Sequence, residues 1–197
     1  MKILFLTNNN ITQPLVDWLI KAGEEVVCES NPINVAIVRG NDISFIVSYS
    51  YRHIIKKDVI EILPHSIINL HTSLLPYNKG ADPNIWSFIE GTPKGVTIHE
   101  ITEGLDEGSI LLQKQIEFDP EKETLRTSYE HLHNEMQSLF KENWNLLKAN
   151  MITAFEQPQG GSIHRKSDAL LLAPYLDYNI KVSEFLAKVR PLNFGVR

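Results

Sequence analysis

The chain has 197 residues, 43% hydrophobic and 22% charged, with a net charge of −5 and a pI near 5.8; this is the profile of one globular domain with a good core and at most a small appendage. That balance offers no broad electrostatic attraction for nucleic acid or an anionic membrane, and no apolar run approaches the length of a membrane span. Cys28 is the single cysteine and reads as a small buried apolar residue, so an internal disulfide is impossible and the expected compartment is the cytoplasm.

Ile3-Leu4-Phe5-Leu6 is too short for a signal-peptide core, and Asn8-Asn9-Asn10 interrupts it at once. Lys2 to Thr7 instead reads as a buried first strand, followed by an amphipathic helix from Gln13 to Ala22 with Leu15, Trp18, Leu19 and Ala22 on one face. Strand, polar turn, helix is a common opening of nucleotide-binding α/β folds, yet Thr7 to Thr12 contains no glycine and is no dinucleotide fingerprint. Its asparagines either cap and turn the chain or hold a substrate. Glu25 to Cys28 reads as a second strand, Ile33 to Arg39 as a short element and Ile43 to Ser48 as the next strong strand. So little chain separates them that the usual second helix is reduced or missing. Tyr49 to Ile55 leaves this strand and enters a helix running to about Leu63.

In the apolar run Ile67-Ile68-Asn69-Leu70-His71, Asn69 and His71 alternate with Leu70 and so point the same way at a strand end. Gly104-Leu105-Asp106-Glu107-Gly108 places an acid in a turn between two β-rich runs, Val96 to Ile101 and Ile110 to Ile116. An amide, an imidazole and a carboxylate can thus meet at one end of a sheet. Transfer of an acyl group to an amine needs that set: a donor for the developing oxyanion, a base for the amine proton, and a group that orients the base. Between His71 and His99, Leu75-Pro76 is irregular, and Asp82-Pro83 opens a helix through Ile89 with Asp82 as its cap and Trp86 as a core anchor. His99 reads as a packing or supporting histidine.

The whole pattern, Asn69-x-His71-x-Ser73-x-Leu75-Pro76, Lys79-Gly80, Pro83, Trp86, Gly95-Val96-Thr97-x-His99, and Asp106-x-Gly108-x-Ile110 with Gln113, resembles the folate-dependent formyltransferases. That family includes the glycinamide ribonucleotide, methionyl-tRNA and nucleotide-sugar enzymes. The resemblance is dense over residues 44 to 117. It implies an α/β, Rossmann-like formyltransferase fold, a mostly parallel twisted sheet flanked by helices with a short C-terminal extension. It makes Asn69, His71 and Asp106 the catalytic positions. Tyr51, Arg52, Ile54, Ile101, Glu103 and Asp106 become the positions facing 10-formyltetrahydrofolate, the one-carbon donor. Asn8, Asn9, Ser73, Lys79 and Trp86 become acceptor-side candidates.

Beyond Asp119-Pro120 a long helix is expected, capped by Thr124, with Leu125, Tyr129, Leu132, Met136, Leu139 or Phe140, and Leu147 forming a core-facing stripe. His131 and His133 diverge on such a helix, and no metal site is expected. Gln157 to Arg165 is a Gly160-Gly161-centred loop, similar to one in the nucleotide-sugar branch, and a final helix is expected near Val182 to Val189. Residues 1–150 are read as the catalytic domain and 151–197 as a loop-and-helix extension packed on it. The expected acceptor is a small-molecule primary amine, a dTDP- or GDP-linked amino-deoxy sugar. The lack of a C-terminal RNA-contacting domain and the acidic charge point away from tRNA, so neither a nucleic-acid nor a membrane partner is expected. Glycinamide ribonucleotide as acceptor, hydrolysis of formyl-tetrahydrofolate, and a non-catalytic folate-binding module are the alternatives; the oligomeric state is open, a homodimer being one option.

Overall fold

A computed structural model describes residues 1–192. The chain forms two compact units, one of Met1–His71, Ile98–Leu112 and Gln137–Glu156, the other of Thr72–Thr97, Gln113–Met136 and the residues from Gln157.

The first unit opens with β1 (Lys2–Leu6), in which Ile3, Leu4, Phe5 and Leu6 are fully buried, as a strand covered on both faces requires. Then come α1 (Gln13–Lys21), β2 (Glu25–Glu29), α2 (Val35–Gly40), β3 (Phe45–Tyr49), α3 (Lys57–Ile62) and β4 (Ile67–His71). The second helix is reduced to the six residues of α2, started by Asn34, whose side chain accepts the Ile37 N–H at 3.0 Å. In the second unit lie β5 (Lys79–Gly80) and α4 (Pro83–Glu90). The elements β6 (Gly95–Glu100), β7 (Ile110–Gln115) and α5 (Leu125–Lys148) contribute residues to both units, and β8 (Ile163–His164), α6 (Lys166–Ala169) and α7 (Val182–Val189) belong to the second.

The six-stranded sheet has the order β2-β1-β3-β4-β6-β7. Strands β2, β1, β3 and β4 are parallel, whereas the Ile101 N–H meets the Ile67 carbonyl, so β6 runs against β4. From β1 the chain moves one way to β2 and returns across to β3. Loops leaving β1 and β3 therefore part at the carboxyl edge, the switch point where open α/β sheets accept ligands. The core of this unit gathers Leu4, Leu6, Ile46, Val59 and Ile67; that of the second gathers Trp86, Leu125, Val182 and Phe185.

Along α5 the expected stripe is inward: Leu125, Leu132, Met136, Phe140 and Leu147 are buried. Thr124 caps it, its hydroxyl accepting the Thr127 N–H at 3.1 Å. Three local expectations are corrected. Residues 51–56 stay irregular and α3 begins only at Lys57, because the Arg52 N–H is taken by the Asn8 side chain at 3.0 Å and the Tyr51 hydroxyl by the Asn31 carbonyl at 2.6 Å. Asp82 stands at the N-cap of α4 but is left-handed (φ 53°) and its side chain makes no cap bond; its carbonyl accepts the Ile85 and Trp86 N–H groups instead. Cys28 is exposed, because β2 is an edge strand with only one neighbour.

Candidate active site

Asn69, His71, His99 and Asp106 converge in the first unit. Period-two alternation on β4 turns Asn69 and His71 to one side. Asp106 reaches them from the β6–β7 connection, in a left-handed conformation (φ 52°) that aspartate tolerates better than most non-glycine residues. Gly108 closes the same connection. A Cβ there would stand 1.7 Å from the Glu100 carbonyl oxygen, so only glycine lets the connection close onto β6.

The hydrogen-bond pattern fixes the polarity of the cluster. A carboxylate only accepts, so Asn69 presents Nδ2 to Asp106 Oδ1, at 3.0 Å. His99 Nδ1 faces the Glu100 carbonyl at 2.8 Å and must carry the proton there. Its Nε2 lies 3.2 Å from Asn69 Nδ2 and 3.4 Å from Asp106 Oδ1, so the amide, the imidazole and the carboxylate meet at one point. On the far side, His71 Nδ1 lies 3.6 Å from Asp106 Oδ2. All three ionisable side chains are shielded: His71, His99 and Asp106 are 8%, 2% and 10% exposed. A charge created here is therefore little screened by solvent.

Tyr51, Arg52, Ile54, Ile101, Glu103 and Asp106 line one cleft of about 150 Å³, together with Asn69 and His99. Its floor is the 51–56 segment, held by Asn8 and Asn31. Burial, then the nearby Glu29 charge, raises the Tyr51 phenol above its ordinary value and keeps it a donor. Ile54 is 78% exposed at the rim, and Glu103 pairs with Lys57 at 3.0 Å in solvent, where such a bridge adds little stability. A larger hollow of about 320 Å³, lined by His65, Ile68, Glu100 and Leu147 among others, holds none of the expected residues.

The acceptor-side candidates are distributed differently. Asn8 bonds the Ser30 carbonyl and the Arg52 N–H, and Asn9 accepts the Ile11 N–H, so both shape loops. Ser73, Lys79 and Trp86 lie in the second unit. Ser73 is buried and donates to the Tyr77 carbonyl at 2.8 Å. Trp86, also buried, stacks flat on His164 with ring centroids 4.0 Å apart. Lys79 is half-buried on β5. Two residues have larger roles than the sequence reading assigned. His99 touches Asn69 directly, and Gln113 donates to the Leu75 carbonyl (2.8 Å) and Thr97 hydroxyl (3.0 Å), pinning the 73–76 loop. The inward face of an alternating strand was the available signal for His99. Gln113 carried a signal only through its place in the motif.

Among the described residues, no group of three or more His, Cys, Asp or Glu could hold a metal ion, and no helix is long and apolar enough to cross a membrane.

The formyl transferase family model matches residues 12–143, most of the chain. The chain belongs to the formyl transferase family. Among formyltransferase relatives, the methionyl-tRNA formyltransferase of Thermodesulfovibrio yellowstonii is 40% identical over 120 residues, 60% of this chain and 38% of that protein. The chain thus spans about two fifths of that relative's length. The crystal structure of the formyltransferase PseJ from Anoxybacillus kamchatkensis, in complex with UDP-4,6-dideoxy-4-formamido-L-AltNAc and tetrahydrofolate, is 40% identical, with a TM-score of 0.87 over 95% of this chain and 99% of that one. The Helicobacter canadensis N-formyltransferase, solved with folinic acid and dTDP-3-aminofucose, shares the fold at 22% identity and a TM-score of 0.69, over 85% of this chain and 72% of that one.

Proposed function

We propose that this protein transfers a formyl group from 10-formyltetrahydrofolate to a primary amine on a nucleotide-linked amino sugar. The observation that carries the reading is the convergence of Asn69, His71 and Asp106, of which Asn69 and Asp106 line the same cleft as Tyr51, Arg52, Ile54, Ile101 and Glu103. An apolar rim at Ile54 and Ile101 beside polar backbone at 51–56 suits a flat, hydrogen-bonding ring such as a pterin.

In the reaction the amine nitrogen bonds to the formyl carbon, the carbon's bond to the folate nitrogen breaks, and the amine proton ends on that nitrogen. Asn69 stabilises the oxygen as it becomes negative, turning its longer contact, the N–H shared with His99, toward it. His71 takes the proton from the amine and returns it to the leaving nitrogen, while Asp106 stabilises the transient imidazolium. Lys79, which has no ion-pair partner among the described residues, is the acceptor-side residue with a charged group suited to an anionic portion of the substrate.

Nucleotide-linked sugars are favoured as acceptors by the similarity to PseJ, which extends over nearly the whole of both chains and which was solved in complex with a UDP-linked 4-formamido sugar. This widens the acceptor panel from dTDP and GDP to UDP. Methionyl-tRNA is the competing acceptor, favoured by the identity to the Thermodesulfovibrio enzyme; the net charge of −5 weighs against it. The decisive assay offers formyl-tetrahydrofolate with UDP-, dTDP- and GDP-linked 3-amino and 4-amino sugars, glycinamide ribonucleotide and methionyl-tRNA, with products read by mass spectrometry. A formylated sugar nucleotide supports the reading. Formylation of glycinamide ribonucleotide or tRNA alone, or formate released without an amine, overturns the acceptor assignment, and folate binding without any product overturns the activity.

A further inference from the structure

The glycine-centred loop is built into a second ordered feature. Within the second unit, β8 pairs in parallel with β5, Lys79 opposite Ile163 and Gly80 opposite His164. Backbone bonds from Lys79 N–H to the Ser162 carbonyl and from Ala81 N–H to the His164 carbonyl, both 2.9 Å, close the ribbon. Gly161 permits it: at φ 94° its missing Cβ would stand 2.0 Å from the Pro76 carbonyl oxygen.

One face of the ribbon is locked inward. His164 lies flat on Trp86 and places Nε2 2.9 Å from Glu90 Oε1. The other carboxylate oxygen of Glu90 accepts from the Ser162 hydroxyl at 2.6 Å and from Asn78 Nδ2 at 2.8 Å. Glu90 and His164 are 9% and 12% exposed, so this carboxylate is satisfied almost entirely by the ribbon it holds. Alternation then sends the neighbours of His164 to the open face. Lys79 stands beside Ile163, which is 54% exposed, and Arg165, still extended (φ −94°, ψ 158°), follows on the same side. Among the described residues neither Lys79 nor Arg165 has an ion-pair partner.

Two uncommitted cations on a locked backbone, flanking an exposed aliphatic side chain, match an anion that continues into an uncharged ring. Resting on the acceptor class proposed above, we infer that Lys79 and Arg165 clamp the diphosphate of the sugar nucleotide, with Ile163 against its nucleoside, and that Glu90 and His164 are positioning residues for this clamp. The guanidinium fork supplies paired donors for phosphate oxygens, and Lys79 supplies a point charge.

The test is calorimetric binding of UDP and UMP, with folinic acid as a control ligand, in the absence of any amine. Arg165→Ala, at an exposed position that leaves the core untouched, is expected to weaken UDP by about tenfold and to narrow the preference for UDP over UMP, with folinic acid within about twofold of wild type. Lys79→Ala should act likewise, and salt should weaken UDP binding less in either variant than in the wild type. Glu90→Gln should weaken UDP by a similar factor, and the Glu90→Gln, Arg165→Ala pair by less than the product of the two, because both act on one clamp; a merely structural Glu90 would give independent effects. UDP affinity unchanged in Arg165→Ala overturns the inference, as does an equal loss of folinic acid affinity. The transfer assay fails separately: an intact clamp with no formylated product refutes the reaction, while product formation with an unchanged acceptor KM in Arg165→Ala refutes the clamp.

Discussion

Asn69 Nδ2 and Asp106 Oδ1 stand 3.0 Å apart, and with His99 Nε2 at 3.2 Å both amide hydrogens of Asn69 are engaged within the protein. The amide is thereby oriented before any ligand arrives. Its two contacts are unequal in length, the carboxylate nearer and the imidazole farther, so in the mechanism proposed above the second N–H is the one a developing oxyanion captures at least cost. Asp106 consequently has two tasks, orienting the amide through one oxygen and facing the His71 imidazole with the other.

Replacing Asp106 by Asn removes an acceptor-only group from between two donors. Turnover in formyl transfer should fall at least about a hundredfold, as it should in Asn69→Ala and His71→Ala, with circular dichroism and folinic acid binding preserved. A folded His71→Ala protein with near-wild-type turnover would sink the mechanism.

Gly108→Ala should disturb the same chemistry indirectly. The added methyl would meet the Glu100 carbonyl, which is the His99 Nδ1 acceptor. A loss of about 1–3 kcal/mol in urea-measured stability is expected from the forced shift, accompanied by a kcat reduction of at least about tenfold with little change in folinic acid affinity. His99→Gln should reproduce the kcat effect with a smaller change in stability.

Glu24 contributes to the acid sensitivity of the first unit. Burial alone would raise its carboxyl, but Lys148 (2.8 Å), the amino terminus (2.6 Å) and Trp144 Nε1 (3.0 Å) outweigh burial and hold it at about 2, below the usual 4.5. A depressed folded value means that its contribution is present above pH 4.5 and is lost as pH falls from 4.5 toward 2. That contribution is about 3 kcal/mol at most. Urea titrations should show this loss in the wild type and little pH dependence from it in Glu24→Gln, which should already be destabilised at pH 7.

His133 acts in a different window. Its 2% exposure on α5 lowers the imidazole from 6.5 to about 4 by desolvation. Above pH 6.5 it is neutral folded or unfolded and has no pH-linked effect; as pH falls from 6.5 to 4 the unfolded chain takes the proton first and stability declines. His133→Gln should flatten the stability profile between pH 6.5 and 4 without altering the lower window set by Glu24.

The sheet was readable because strands buried on both faces are uninterrupted apolar runs, as in Ile3–Leu6 and Phe45–Val47, and α5 was readable from its stripe. The cluster of Asn69, His71 and Asp106 was accessible through alternation, a glycine-flanked turn and motif resemblance. What escaped depends on partners far apart in sequence. Tyr49 to Ile55 reads as leaving the strand into a helix that runs to about Leu63, but the helix starts only at Lys57, as Asn8 and Asn31 take the polar groups of Arg52 and Tyr51 from other loops. Asp82 had the composition of a cap, yet the chain turns left-handed before Pro83 and leaves its carboxylate unused for capping. The two-residue β8 has no periodicity to detect; only the backbone of β5 makes it a strand.

Asn69, His71 and Asp106 belong to one compact unit, whereas Lys79, Trp86 and the ribbon carrying Arg165 belong to the other. Under the acceptor assignment proposed above, selection acting on the second set changes the preferred acceptor while Asn69, His71 and Asp106 stay constant. In the laboratory the same partition makes residues 157–165 a region to randomise when seeking new amine substrates, with the cleft lined by Tyr51, Arg52 and Ile101 kept as a fixed background.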